Sequence, residues 1–220
     1  MLSVTHSLPQ RTLAFSARRL FSSSSPSLST TSKLYPGLYY HEHPSQPFHY
    51  ILSYLPSAPP SLRFSPTTIG TLSPLSRPPS SFDAQPKADQ GVPPILPRTL
   101  SENPDFLKLV HEVIKANVEE DIWLQTKAKS IGEDTHIHIA DERSPADANR
   151  IGDPSDILGS VLVQSGKVIG STYEPNNVAY RLVTEEGGLM RLPQGLQEKL
   201  VEACKRVRVI EEEAAREEQA

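Results

Sequence analysis

Cysteine is nearly absent: the 220-residue chain has Cys204 alone, together with one tryptophan and an aromatic share of 6%. A single thiol cannot form an intramolecular disulfide. Without a Cys-x-x-Cys pair there is also no thiolate site for zinc or an iron–sulfur cluster, so a reducing compartment is expected. No apolar run approaches the roughly 20 residues of a membrane-spanning helix; the stretch from Ile157 to Val163 is broken by Gly159 and Ser160. There is no Gly-x-Gly-x-x-Gly turn and no Gly-x-Ser-x-Gly elbow, and Gly166-Lys167 lacks the earlier glycine of a phosphate loop. His111-Glu112 is followed by Lys115 where a zinc protease needs a second histidine, and nothing fits a calcium-binding EF-hand loop. These absences remove the common nucleotide, hydrolase and metalloprotease signatures and leave only a dispersed site open to an enzyme. No cofactor is implied.

Acidic residues are missing from positions 1–41, where Arg11, Arg18, Arg19 and Lys33 stand among Ser, Thr and Leu. With four of the 22 basic residues in that stretch and all 26 acidic ones beyond it, residues 42–220 carry a net charge of −8. An acidic body works against binding to phosphate backbones by counterion release, so nucleic-acid binding is disfavoured. The basic, acid-free N-terminus has the composition of a mitochondrial presequence, assigned to residues 1–34, and the expected location is the matrix. On a helix, Leu13, Phe15 and Leu20 share an apolar stripe beside the arginines. There is no apolar core of secretory type. Arg19-Leu20-Phe21-Ser22 resembles a matrix-processing site, and Phe21 to Leu28 has the form of an octapeptide removed in a second cut.

Prolines crowd the first half. Of 21, only Pro145, Pro154, Pro175 and Pro193 follow Pro104. Residues 35–100 therefore read as a Pro/Ser-rich extended segment with two strand-like pieces, 48–55 and 67–72, and a flexible linker over 73–97. A helix is expected from Asn103, with Pro104 at its first position, to about Lys129, breaking near Asp121. Phe106, Leu109, Val110, Val113 and Ile114 form its buried face. The pattern then becomes extended: His136 to Ile139 alternates, 160–164 and 167–170 flank the hairpin signal Ser165-Gly166, and 179–184 and 189–192 flank a Gly-containing turn. A last helix after Pro193 presents Leu196, Leu200, Val201, Cys204 and Val207. The predicted fold is α+β, one antiparallel sheet of about five short strands with an N-terminal and a C-terminal helix packed on it. It is assigned to residues 101–210, followed by an acidic solvated tail at 211–220.

Alternation puts His136 and His138 on one side of a strand, opposite Ile137 and Ile139. Two imidazoles with Asp141 nearby are a conceivable metal set; the simpler reading turns the histidines to solvent. His41 and His43 form a second, weaker pair. The densest polar run, Asp141 to Asp156, is a loop between strands. In it Arg150 could grip a carboxylate or phosphate, and His138, Asp141, Asp153 or Asp156 could act as base or ligand. The competing reading is that Asp-Pro and Ser-Pro initiate turns, Gly152 supplies a left-handed residue and Arg150 pairs with an Asp to pin the loop, and this reading is preferred. Tyr173 and Tyr180 are expected to cover the core edge, and Cys204 to be an inert buried thiol.

The stretches His138-Ile139-Ala140-Asp141-Glu142-Arg143, Arg150 to Val161, Tyr180 to Thr184 and Gly187 to Leu192 resemble a family of small, functionally uncharacterised organellar proteins of fungi and plants, over roughly residues 103–207. The resemblance implies the domain limits and a mitochondrial address, and no activity. That family has no histidine matching His136, which counts against the two-histidine site. Three function classes follow: a non-catalytic accessory or assembly factor that binds proteins, a small hydrolase or ligand-binding enzyme using the 141–156 loop, and a mitoribosome-associated protein.

Overall fold

In the computed structural model of the protein, residues 28–61, 65–75, 89–143 and 153–218 are described. Residues 1–27, most of the 1–34 stretch expected to be a presequence, lie outside them, as does Arg150.

The N-terminal half departs most from expectation. Instead of an extended linker it builds a five-stranded antiparallel meander of β1 (Ser29–Thr31), β2 (Tyr39–Glu42), β3 (Tyr50–Ser53), β4 (Thr68–Leu72) and β5 (Leu100–Glu102), paired in that order. The reason is visible in the positions of the prolines. No described proline lies in any of these five strands; Pro36, Pro47, Pro56 and Pro97 fall in the connections, where a missing N–H costs no ladder bond. Three corrections follow. The folded unit includes residues assigned to the presequence, since β1 pairs with β2 from Ser29↔His41 to Thr31↔Tyr39. The supposed linker is packed where it is described: Val92, Ile95 and Leu96 are buried, and the Asp89 carboxylate accepts bonds from the N–H groups of Lys33 and Leu34 and the hydroxyls of Ser32 and Tyr40. The domain thus does not begin at residue 101.

The expected long helix is two. α1 (Pro104–Asn117) starts where Asn103 accepts from the Asp105 N–H and donates its amide to the carbonyls of Ser65 and Thr68, tying the helix to the loop before β4. Its predicted apolar face is buried. Asp121 then caps a new helix, α2 (Ile122–Ile131), by accepting from Leu124 N–H at 2.9 Å, and Gly132 ends it at φ 70°.

Next come β6 (Thr135–Ala140), β7 (Ile157–Gln164) and β8 (Lys167–Pro175), an antiparallel three-stranded sheet. Ser165 and Gly166, at φ 50° and 73°, make the expected two-residue turn. The single five-stranded sheet predicted here is not formed. β9 (Val183–Thr184) and β10 (Gly188–Leu189) make a separate two-stranded ribbon. One bond continues the pairing, Met190 N–H to the Leu182 carbonyl; beyond it the Arg181 carbonyl accepts from Arg143, the Arg191 N–H donates to Asp141 and the Arg191 carbonyl accepts from Glu142 N–H.

α3 (Gln194–Glu217) carries its helix through the stretch expected to be a tail. Glu211 is 3% exposed; it accepts from the Thr67 backbone and hydroxyl and lies 2.9 Å from the Arg208 Nε. Arg208 donates to the carbonyls of Ser57 and Ala58 and to Thr67 Oγ1. One apolar core joins α1, α2 and α3 to both large sheets, with Phe106 of α1 against Tyr54 just beyond β3. The α+β class stands; a second sheet shares the core.

Candidate functional site

The 141–156 loop begins at the end of β6 and returns at β7, beside the start of the β9–β10 ribbon. At its root Asp141 is fully buried. Its Oδ1 accepts the N–H groups of Arg143 (2.9 Å) and Arg191 (2.8 Å), and its Oδ2 accepts the Tyr180 hydroxyl at 2.9 Å. Its backbone N–H donates to the Asp156 carbonyl. Burial raises the carboxyl pKa above its ordinary value, opposed by the bonds and charge of Arg143 and by Arg191 and Tyr180. Tyr180 is pushed well above the usual phenol range by burial and by the Asp141 charge.

Arg143 closes the site. Its Nε donates to Asp156 Oδ1 at 2.8 Å, Nη1 to the carbonyls of Leu182 and Gly188, and Nη2 to those of Ser155 and Arg181. All five N–H donors of a guanidinium are thereby used. The side chain is 1% exposed, and its Cζ lies 5.5 Å from the Tyr180 ring centre. A raised carboxyl pKa often marks an acid–base group. Here neither oxygen of Asp141 is open to a substrate, so the arrangement holds three chain segments together and offers no free proton acceptor.

The other expected residues are dispersed. Asp153 caps a single 3-10 turn, Pro154–Asp156, by accepting from Ser155 N–H; that bond lowers its pKa. Asp156 is buried against Arg143. His136 and His138 point away from Ile137 and Ile139, as alternation predicts, and both are exposed. Asp141 is not with them. His138 Nδ1 instead lies 2.8 Å from Ser160 Oγ across the β6–β7 pair, a residue that sequence alone did not mark. His41 is buried, with Nδ1 at Ser29 Oγ (2.8 Å) and Nε2 at the Leu55 carbonyl (3.1 Å), and His43 accepts from the N–H groups of Ser45 and Gln46. Among the described residues no group of three or more His, Cys, Asp or Glu is placed to hold a metal ion. Burial and the nearby Glu211 push the Cys204 thiol up to about 12, the behaviour of an inert thiol.

The chain matches no family model, no curated protein and no solved structure. Function must therefore be argued from this geometry.

Two features escaped the sequence reading. The role of Arg143 is not legible in the sequence, because nothing local separates a buried arginine from an exposed one in a polar run. A groove of about 690 Å³ lies between α2 and the first turn of α3, away from the 141–156 network except for Glu142 on its rim. The only sequence signal for it is the pair Ile122-Trp123, off the apolar stripe of Leu124 and Ala128.

Proposed function

We propose that the protein is a mitochondrial matrix factor that binds other proteins in an accessory or assembly role and does no catalysis. The observation that supports this most is the internal use of its best chemical groups: both oxygens of Asp141 and all five donors of Arg143 bond within the fold. The basic, acid-free stretch before Glu42 supports the matrix address. Among the described residues no helix is long and apolar enough to cross a membrane.

The hydrolase alternative has one observation in its favour, the His138–Ser160 contact at 2.8 Å. That pair sits on the outer face of the three-stranded sheet, with Glu174 beside Ser160 across the β7–β8 pair and no acid hydrogen-bonded to the imidazole in the described residues. The two readings separate by experiment. In gently lysed mitochondria, the imported protein is expected to migrate within a larger assembly and to do so equally as Ser160→Ala. Migration solely as a free monomer or dimer overturns the binding reading.

A further inference from the structure

Trp123, the one tryptophan of the chain, is 56% exposed, and its neighbour Ile122 is 83% exposed. Both stand at the start of α2, on the wall of the 690 Å³ groove, which has about twice the volume of the roughly 310 Å³ cavity beside Asp89. A tryptophan and an isoleucine left in water beside a concave surface are the kind of anchor that protein interfaces bury. The groove walls are fixed. Asp121 caps α2, and Gly195 brings the first turn of α3 so close that a Cβ there would lie 3.3 Å from Asp121 Oδ2. Leu124 and Leu196 root the two helices in the core.

Acidic residues outnumber basic ones in the lining of the groove, Glu120, Asp121, Glu142 and Glu198 against Lys199. Glu120, Glu142 and Glu198 line it and form no ion pair with any described residue, while Lys199, its one basic lining residue, lies 3.8 Å from Glu202. Lys127 places its ammonium 5.0 Å from the Trp123 ring centre, so the ring already accepts a cation on one face. An apolar floor rimmed by carboxylates that lack a cationic partner, Glu198 accepting only from the Gln194 amide, complements a helix with an apolar stripe flanked by Lys or Arg.

We propose that the groove between α2 and α3 docks a basic amphipathic helical segment of a partner protein. This rests on the protein-binding reading above and names its surface and the chemistry of its partner. Trp123 and Ile122 take the apolar stripe; Glu120, Glu142 and Glu198 face the basic flanks.

The test uses the full chain and a fluorescein-labelled helical peptide of leucine and lysine, with a leucine–glutamate peptide as its opposite. The lysine peptide is expected to bind saturably by anisotropy and to shift the emission of Trp123, the chain's only indole. Trp123→Ala and the double reversal Glu120→Lys/Glu198→Lys should each weaken binding by roughly tenfold or more, as loss of an interface anchor does. Their circular-dichroism melts should match wild type, since the changes are on the surface. The glutamate peptide should not bind. The proposal falls if the lysine peptide fails to bind, if both variants bind it as wild type does, if the glutamate peptide binds equally, or if sedimentation shows a second copy of the chain occupying the groove. The double variant is also imported into mitochondria. Wild type and variant together in one assembly would leave the protein-binding reading intact and remove this surface; both migrating free would remove the reading itself.

Discussion

Replacing Arg143 by alanine tests the claim that the 141–156 region is a structural lock. The guanidinium is 1% exposed and donates to Asp156 and to the carbonyls of Ser155, Arg181, Leu182 and Gly188. Alanine would leave two buried carboxylates without their cation and four carbonyls without this donor. Removing one partner of a buried ion pair costs about 3–5 kcal/mol. Domains have total stabilities of about 5–15 kcal/mol, so this is a large fraction. At about 2–4 °C per kcal/mol for a chain of this size, the melting temperature should fall by about 6–20 °C. Arg143→Lys keeps the charge but offers three donors to five acceptors, and should lose about 2–4 kcal/mol through the acceptors left bare. Urea unfolding followed by far-ultraviolet circular dichroism measures both. An Arg143→Ala variant within about 1 kcal/mol of wild type would refute the lock and return the loop to the list of ligand sites.

Four further outcomes are expected. Gly159→Ala puts a Cβ 2.6 Å from both the Glu174 carbonyl oxygen and the Tyr173 ring, and should cost about 1–3 kcal/mol in a thermal melt; an unchanged melt would contradict this packing. Asp89→Ala strips acceptors from Ser32, Lys33, Leu34 and Tyr40, should cost about 2–3 kcal/mol, and should expose the β1–β2 connection to limited proteolysis, whereas wild-type resistance would argue against the clasp. His41 and His111 are held below the ordinary histidine value of 6.5 chiefly by burial. The unfolded chain therefore binds their protons first, so stability present above pH 6.5 declines as pH falls below it. His111→Gln should flatten that decline in pH-dependent unfolding, and an unaltered slope would exclude His111 as its source. Finally, removal of the octapeptide ending at Leu28 would leave Ser29, the first residue of β1, at the N-terminus. If the proposed matrix address holds, N-terminal sequencing of the protein recovered from mitochondria should read from Ser29, and a terminus beyond Ser32 would break the contact with Asp89 that the fold uses.

Local pattern settled the elements whose signal lies within a few residues. The apolar spacing of Phe106 to Ile114 marks α1, the alternation of His136 to Ile139 marks β6 and its faces, and Ser165-Gly166 marks the turn between β7 and β8. Asp121 signalled where α1 and α2 part. Of the N-terminal meander, β3 and β4 were legible as the strand-like pieces 48–55 and 67–72, whereas β1, β2 and β5 stayed hidden because they are only three or four residues long and proline dominates the composition around them. A period cannot be read over so few positions; pairing across loops decides them.

By itself, then, the sequence determined the α+β class, the faces of its helices and the acid-free N-terminus. Tertiary structure alone decided which polar groups are spent and which are free. Asp89 meets Ser32 57 residues away, Arg143 reaches Gly188 over 45, and Glu211 meets Thr67 over 144. Such a partner is chosen by where the folded chain brings a donor and an acceptor together, and desolvation then makes the bond obligatory. The same logic left Trp123 and three glutamates facing water around one groove, a juxtaposition that no short window of sequence contains.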